Sequence, residues 1–60
     1  MNKLKVGDIV YTAEMDDILE IRTLTGELCF FVQCSGKYRF ELISILEEQM
    51  DLGFIIKLEL

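Results

Sequence analysis

The sequence contains no histidine, and this absence removes most of the usual ways to build an active site. Without histidine there is no Cys-His or Ser-His pair, and the commonest general base is missing. Two cysteines alone make no standard zinc site, and the four isolated glycines make no phosphate-binding loop. A chain of 60 residues also leaves little room for an enclosing pocket. We therefore expect a protein that is not an enzyme and has no cofactor or metal.

Basic residues are also scarce, with 6 against 11 acidic residues and a formal net charge of −5. They are scattered along the chain instead of clustered. Phosphate backbones are bound mainly by clustered Lys and Arg, and anionic membrane surfaces attract the same residues. Binding to nucleic acid or to a membrane is therefore disfavoured, whereas a basic protein partner is compatible with this charge.

Long apolar runs are absent too. The longest, residues 28–32, is far too short to span a membrane, and residues 1–8 lack the apolar segment of a signal peptide. If Cys29 and Cys34 lie on one strand they are about 16 Å apart, which is too far for a disulfide. We expect reduced thiols in a cytoplasmic protein, with an intermolecular disulfide as the alternative.

Apolar residues, in contrast, are abundant, at 52% of the chain. A domain this short buries only about 60% of the surface that its unfolded chain exposes. The interior cannot hide all of these side chains, and a large exposed apolar patch usually marks an interface. The composition therefore predicts a small homo-oligomer, most simply a two-fold dimer.

Short segments of alternating apolar residues, separated by glycines, are typical of a β-rich domain. Because the chain has no proline, its turns depend on Gly, Asp, Asn and Ser. The pattern predicts one domain over residues 1–60, with strands at residues 9–13, 18–24, 28–33, 38–41 and 54–60. Residues 42–50 follow helical spacing up to Gly53, so a short helix is favoured there, with a strand as the alternative. The apolar strand 28–33 is expected at the centre of the sheet.

The alternation also suggests which side chains face the core. In the second strand, Leu19 and Ile21 share one face, and in the fourth strand we expect Tyr38 and Phe40 to point inward. In the last strand, Phe54 and Ile56 are assigned to the inner face, which leaves Ile55 pointing outward.

The strand order and the segment Lys5-Val6-Gly7-Asp8-Ile9-Val10-Tyr11 resemble small SH3-like barrels of the KOW and Tudor type. In those domains a glycine-aspartate turn leads into the first barrel strand. The motif covers seven of the 60 residues. The resemblance implies a small antiparallel barrel of about five strands that binds a peptide, a protein surface or sometimes a nucleic acid.

The densest acidic group lies around the first turn, and its members are Glu14, Asp16, Asp17 and Glu20. One interpretation is a solvated loop that keeps an apolar chain soluble. A second is a docking patch for a basic protein. A calcium site is a third, although the spacing lacks an EF-hand pattern. The same alternatives apply to a second acidic group at Glu47, Glu48 and Asp51.

The last strand is the candidate surface for self-association. It either closes the barrel or forms an edge that pairs with a second copy. The residues assigned to that contact are Phe54, Ile55, Lys57 and Glu59.

Three functions compete. The first is a protein-protein interaction module that works as a homo-oligomer. The second is an inhibitor encoded by a phage or another mobile element, because in size and composition the chain is similar to anti-defence proteins, some of which mimic nucleic acid with carboxylates. The third is a nucleic-acid-binding small barrel, which would need the basic residues on one face.

Overall fold

Within residues 4–59, which the computed structural model describes, the chain forms one antiparallel sheet of five strands and one helix. In chain order the elements are β1 (Ile9–Thr12), β2 (Asp17–Thr25), β3 (Leu28–Gln33), β4 (Tyr38–Leu42), α1 (Ile43–Asp51) and β5 (Ile55–Leu58). The strands lie side by side in the order β4-β3-β2-β1-β5. The predicted mainly β fold, with a short helix before the last strand, is confirmed.

The sheet does not close into a barrel. Among the described residues β4 and β5 are its two edges. The helix α1 contacts both edge strands, so it fills the space where a barrel would join them. The central strand is β2, not β3 as the apolar content of residues 28–33 predicts.

Turn chemistry sets the register of the β2–β3 hairpin. Thr25 pairs with Leu28, so the loop consists of Gly26 and Glu27 alone. Gly26 has φ +57°, a conformation that two-residue hairpins require and that glycine adopts without a steric penalty. A register shift between Ile21 and Thr23 interrupts the ladder, and such a bulge increases the local bend of the strand.

The helix begins directly after β4 and ends at a glycine. The Ile43 N–H donates to the carbonyl of Glu27 at 2.8 Å, which ties the helix start to the β2–β3 turn. At the other end, Gly53 has φ +85° and its N–H donates to the carbonyl of Met50 at 3.1 Å. Gly53 is therefore the helix stop that the sequence predicts.

The core lies between one face of the sheet and α1. Strands β1, β2 and β3 contribute alternate residues, as the two-residue period of a strand requires, and β5 contributes Ile55. The predicted shared face of Leu19 and Ile21 is confirmed, and both residues are buried. The buried apolar side chains are Leu4, Val10, Leu19, Ile21, Cys29, Phe31, Ile43, Leu46 and Ile55. The opposite face of the sheet, called the outer face here, is not covered by any described part of the chain.

The orientation predicted for the last strand is wrong. Ile55 is buried, with 3% of its surface exposed, whereas Phe54 is 51% and Ile56 is 54% exposed. The reason is the pairing of β5 with β1, in which Ile55 lies opposite Thr12. Directly opposed residues share a face, and Thr12 is fully buried, so Ile55 points into the core.

Candidate interaction surface

The outer face of the β3–β4 hairpin is apolar and exposed. The register places Phe30 opposite Phe40 and Val32 opposite Tyr38, so these four side chains form one surface. Tyr38 is 76% and Phe40 is 64% exposed. Together with Leu42, at the end of β4, these five residues are called the hairpin patch.

The inward orientation predicted for Tyr38 and Phe40 is therefore wrong. In β3 the buried residues are Cys29 and Phe31. Phe31 pairs with Arg39, and Cys29 pairs with Glu41. Because opposed residues share a face, the two charged side chains lie on the helix side of the sheet and the two rings lie on the outer face. The charged residues tolerate this position because β4 is an edge strand open to solvent.

Two rings form the centre of the hairpin patch. The centroids of Phe30 and Phe40 are 5.7 Å apart, with the ring planes tilted by 41°. This separation lies in the favourable range for aromatic pairs. A shallow depression of about 260 Å³ adjoins them, and it is lined by Phe30, Phe31, Tyr38, Arg39 and Phe40. The hairpin patch is thus a pre-formed apolar surface beside a shallow depression.

A smaller apolar row crosses the other half of the outer face. Ile18 of β2, Tyr11 of β1 and Ile56 of β5 are direct neighbours across the three strands. Between this half and the hairpin patch lies Glu20, which pairs with Ile9 on one side and Val32 on the other. A polar position therefore separates two apolar areas of the same sheet face.

Three of the four predicted acidic residues accept hydrogen bonds from other residues of the chain. Asp16 accepts a hydrogen bond from the Tyr11 hydroxyl at 2.8 Å, and this bond, together with the charge of Asp16, raises the pKa of Tyr11. Asp17 accepts from the N–H of Ile18 at 2.7 Å. Glu14 accepts from the side-chain amide of Gln49 at 3.0 Å, which links the turn to α1.

Glu20, the fourth acidic residue, lies on the outer face and not in the turn. Its carboxylate is 3.4 Å from the guanidinium of Arg22. The four carboxylates are thus spread over a turn and a strand, and each has a partner within the chain. In the second acidic group, Glu47 and Glu48 lie on α1 and Asp51 is its last residue.

The residues predicted for self-association lie at the β5 edge but not on one face. Phe54 lines a shallow depression of about 350 Å³ with Ala13 and Glu14. Ile55 belongs to the core. The Lys57 ammonium is 3.1 Å from the Asp8 carboxylate, and Glu59 is exposed after the end of β5.

The ion pair between Lys57 and Asp8 also affects the pKa of Asp8. Partial burial alone would raise the pKa of Asp8, but the Lys5 N–H, which donates to its carboxylate at 2.8 Å, and the charge of Lys57 act in the opposite direction. Their combined effect holds the pKa of Asp8 below its ordinary value. The ion pair therefore joins the segment before β1 to the edge strand β5.

The remaining reactive side chains are the two cysteines. Both thiols are free, Cys29 in the core and Cys34 exposed in the β3–β4 turn. Burial raises the pKa of Cys29, which disfavours the reactive thiolate. Within residues 4–59 no group of three or more Cys, Asp or Glu side chains is placed to hold a metal ion.

Sequence reasoning missed the hairpin patch because the same alternation fits either orientation of a strand. A usable signal was present in the hairpin itself. Once Phe31 is placed in the core, the short β3–β4 turn forces Arg39 to the same face and the neighbouring rings outward.

Comparison with protein-family models, with curated proteins and with solved structures found no match to this chain. The described part of the chain also contains no helix with the length and apolar character needed to cross a membrane. The surface geometry is therefore the basis for a functional proposal.

Proposed function

We propose that this protein is a non-enzymatic protein-protein interaction module that works as a small homo-oligomer, with the hairpin patch as its contact surface. The observation that carries the proposal is the exposure of Tyr38 and Phe40 beside Phe30 on an uncovered sheet face. Aromatic side chains are enriched at the energetically important centres of protein interfaces.

The distribution of charge supports an apolar contact at this place. Two copies with a net charge of −5 repel one another, so contact is favoured where carboxylates are absent. All five residues of the hairpin patch are uncharged, and the nearest acidic residue on that face, Glu20, is accompanied by Arg22. The patch is therefore the least repulsive part of the outer face.

The size of the patch is consistent with a modest interface. A large aromatic side chain contributes roughly 150–250 Å² when it is fully buried. At their exposures, Tyr38 and Phe40 together offer on the order of 300 Å² of removable surface. A standard interface buries roughly 800 Å² on each partner, so the proposal predicts weak association unless neighbouring residues take part.

The test compares two phenylalanine variants of similar exposure. Phe40→Ser removes the centre of the hairpin patch, and Phe54→Ser removes a half-exposed ring beside the other edge. Solution mass is measured by light scattering and sedimentation over a wide concentration range, with circular dichroism as the control for folding. We expect self-association to be lost in Phe40→Ser and kept in Phe54→Ser.

Two results would contradict this proposal. If Phe54→Ser alone prevents association, the contact lies at the β5 edge and not at the hairpin patch. If the wild-type chain binds random DNA or RNA with an affinity that falls steeply with salt, a nucleic-acid-binding function replaces it.

A further inference from the structure

The outer edge of β4 presents backbone groups that are not paired with any described strand. In the β3–β4 hairpin, the backbone groups of odd-numbered residues form the hydrogen bonds between the two strands. The Gln33 N–H donates to the carbonyl of Lys37, and the Ile43 N–H donates to the carbonyl of Glu27, both at 2.8 Å. In an antiparallel ladder the intervening residues point their N–H and C=O groups away from the partner strand. For β4 these residues are Tyr38, Phe40 and Leu42.

The structure shows this orientation directly at one residue. The Leu42 N–H donates to the side-chain carboxylate of Glu41 at 2.9 Å, not to β3. No described strand lies on this side of β4, so the edge is a template for a further strand.

We propose that two copies of this chain pair edge to edge through β4, antiparallel, about a two-fold axis at Phe40. This proposal rests on the proposed function and specifies the partner as a second copy. In this register Phe40 lies opposite Phe40 of the second copy, and Tyr38 lies opposite Leu42. The two sheets join into one sheet of ten strands, because each copy contributes five.

The charges of β4 are complementary in this register. Arg39 lies opposite Glu41 of the second copy, and the two-fold axis repeats the pair on the other side of Phe40. Opposite charges that face one another across antiparallel strands stabilise the pairing, and like charges destabilise it. Inward-pointing charged residues normally discourage the addition of a strand at an edge. Arg39 and Glu41 therefore disfavour pairing with any strand that does not place opposite charges against them.

Apolar contacts on the outer face follow from the same register. The Phe40 rings of the two copies meet at the axis, each already in contact with Phe30 of its own chain. Tyr38 and Leu42 extend the contact on both sides. The hairpin patches of the two copies therefore become one continuous apolar surface.

At the opposite edge, a lysine disfavours the pairing register centred on it. The Ala13 N–H donates to the carbonyl of Phe54 at 2.8 Å. Since successive residues of a strand point their backbone groups alternately toward and away from the partner strand, those of Ile55 and Lys57 point away from β1. A two-fold axis at Lys57 would place two ammonium groups opposite one another. A lysine is a common means of blocking an edge strand, and this one is already paired with Asp8.

The experiment exchanges the two charges of β4. We measure the dissociation constant of self-association at low salt for the wild type, Arg39→Glu, Glu41→Arg and the double variant. Each single change turns two attractive pairs into two repulsive ones, which raises the constant by about tenfold or more. The double variant restores opposite charges at both positions, and so does an equimolar mixture of the two single variants. Both are expected to associate as the wild type does.

The controls carry the same change of net charge elsewhere. Lys5→Glu matches Arg39→Glu, and Glu48→Arg matches Glu41→Arg; both positions are exposed. Neither control is expected to weaken association by more than twofold, since neither lies on β4.

Three results would overturn the edge-pairing model. They are a wild-type chain that stays monomeric at high concentration, single variants that associate normally, and a mixture that fails to recover association. If the charge variants have no effect but Phe40→Ser still prevents association, the hairpin patch binds in another geometry. The proposed function then survives without this register.

Discussion

Ile55 and Ile56 are neighbours in β5 with opposite environments, and this difference gives a sharp test of the fold. Ile55→Ala removes three buried carbons, worth about 0.8 kcal/mol each in transfer free energy. The cavity left behind adds to this loss, so we expect about 3–4 kcal/mol of destabilisation. Ile56 is 54% exposed, so the same truncation there is expected to cost about 1 kcal/mol.

The magnitude matters because the domain is small. At roughly 0.05–0.15 kcal/mol per residue, a chain of this length has a total stability of about 3–9 kcal/mol. Ile55→Ala therefore brings the protein close to its unfolding threshold, and Ile55→Val, with an expected loss of about 0.5–1.5 kcal/mol, is the milder companion. Ile56→Val is the matched control for the milder change.

Urea unfolding followed by circular dichroism measures the free energy of unfolding of all four variants, at a concentration where the wild type is monomeric. The difference between Ala variants is the quantity of interest, because it does not depend on the absolute stability. Equal losses at the two positions, or a larger loss at Ile56, would show that the pairing of β5 with β1 is not the one described.

Two further predictions concern titration and reactivity. The lowered pKa of Asp8 means that its contacts with Lys5 and Lys57 stabilise the fold above the ordinary pKa of 3.8, and this stabilisation is lost as the pH falls through the lowered value. Asp8→Asn is therefore expected to be about 1 kcal/mol less stable than the wild type at neutral pH, with the gap closing on acidification in urea titrations at several pH values. For the thiols, we expect Cys34 to react rapidly with a disulfide reagent and Cys29 to react only on unfolding. Two fast thiols in the native state would contradict the burial of Cys29.

Much of the local structure follows from the sequence alone. The alternation of Leu19 with Glu20 and of Ile21 with Arg22 predicts a strand with Leu19 and Ile21 on one face, and the structure confirms both the strand and the shared face. Gly26 and Gly53 occupy backbone conformations with positive φ, as a tight hairpin and a helix stop require. These features depend on a few neighbouring residues, so they can be read locally.

The orientation of the edge strands is less accessible to sequence reasoning. A two-residue period divides a strand into two faces but does not indicate which one is buried. In β4 the apolar residues share the exposed face, and in β5 both faces carry apolar residues. The predicted orientation is wrong in both strands. In the acidic turn, the sequence shows a cluster, but only the structure shows that Asp16, Asp17 and Glu14 accept hydrogen bonds within the chain.

By itself, the sequence determined the mainly β fold, the turns, the helix before the last strand and the surplus of apolar residues over a small interior. Only the tertiary structure decided that Ile55 is buried and that Tyr38 and Phe40 form an exposed surface. The physical reason is register. A strand's face is chosen by the residues opposite it, here Thr12 for Ile55 and Phe30 for Phe40, and these partners are distant in the chain.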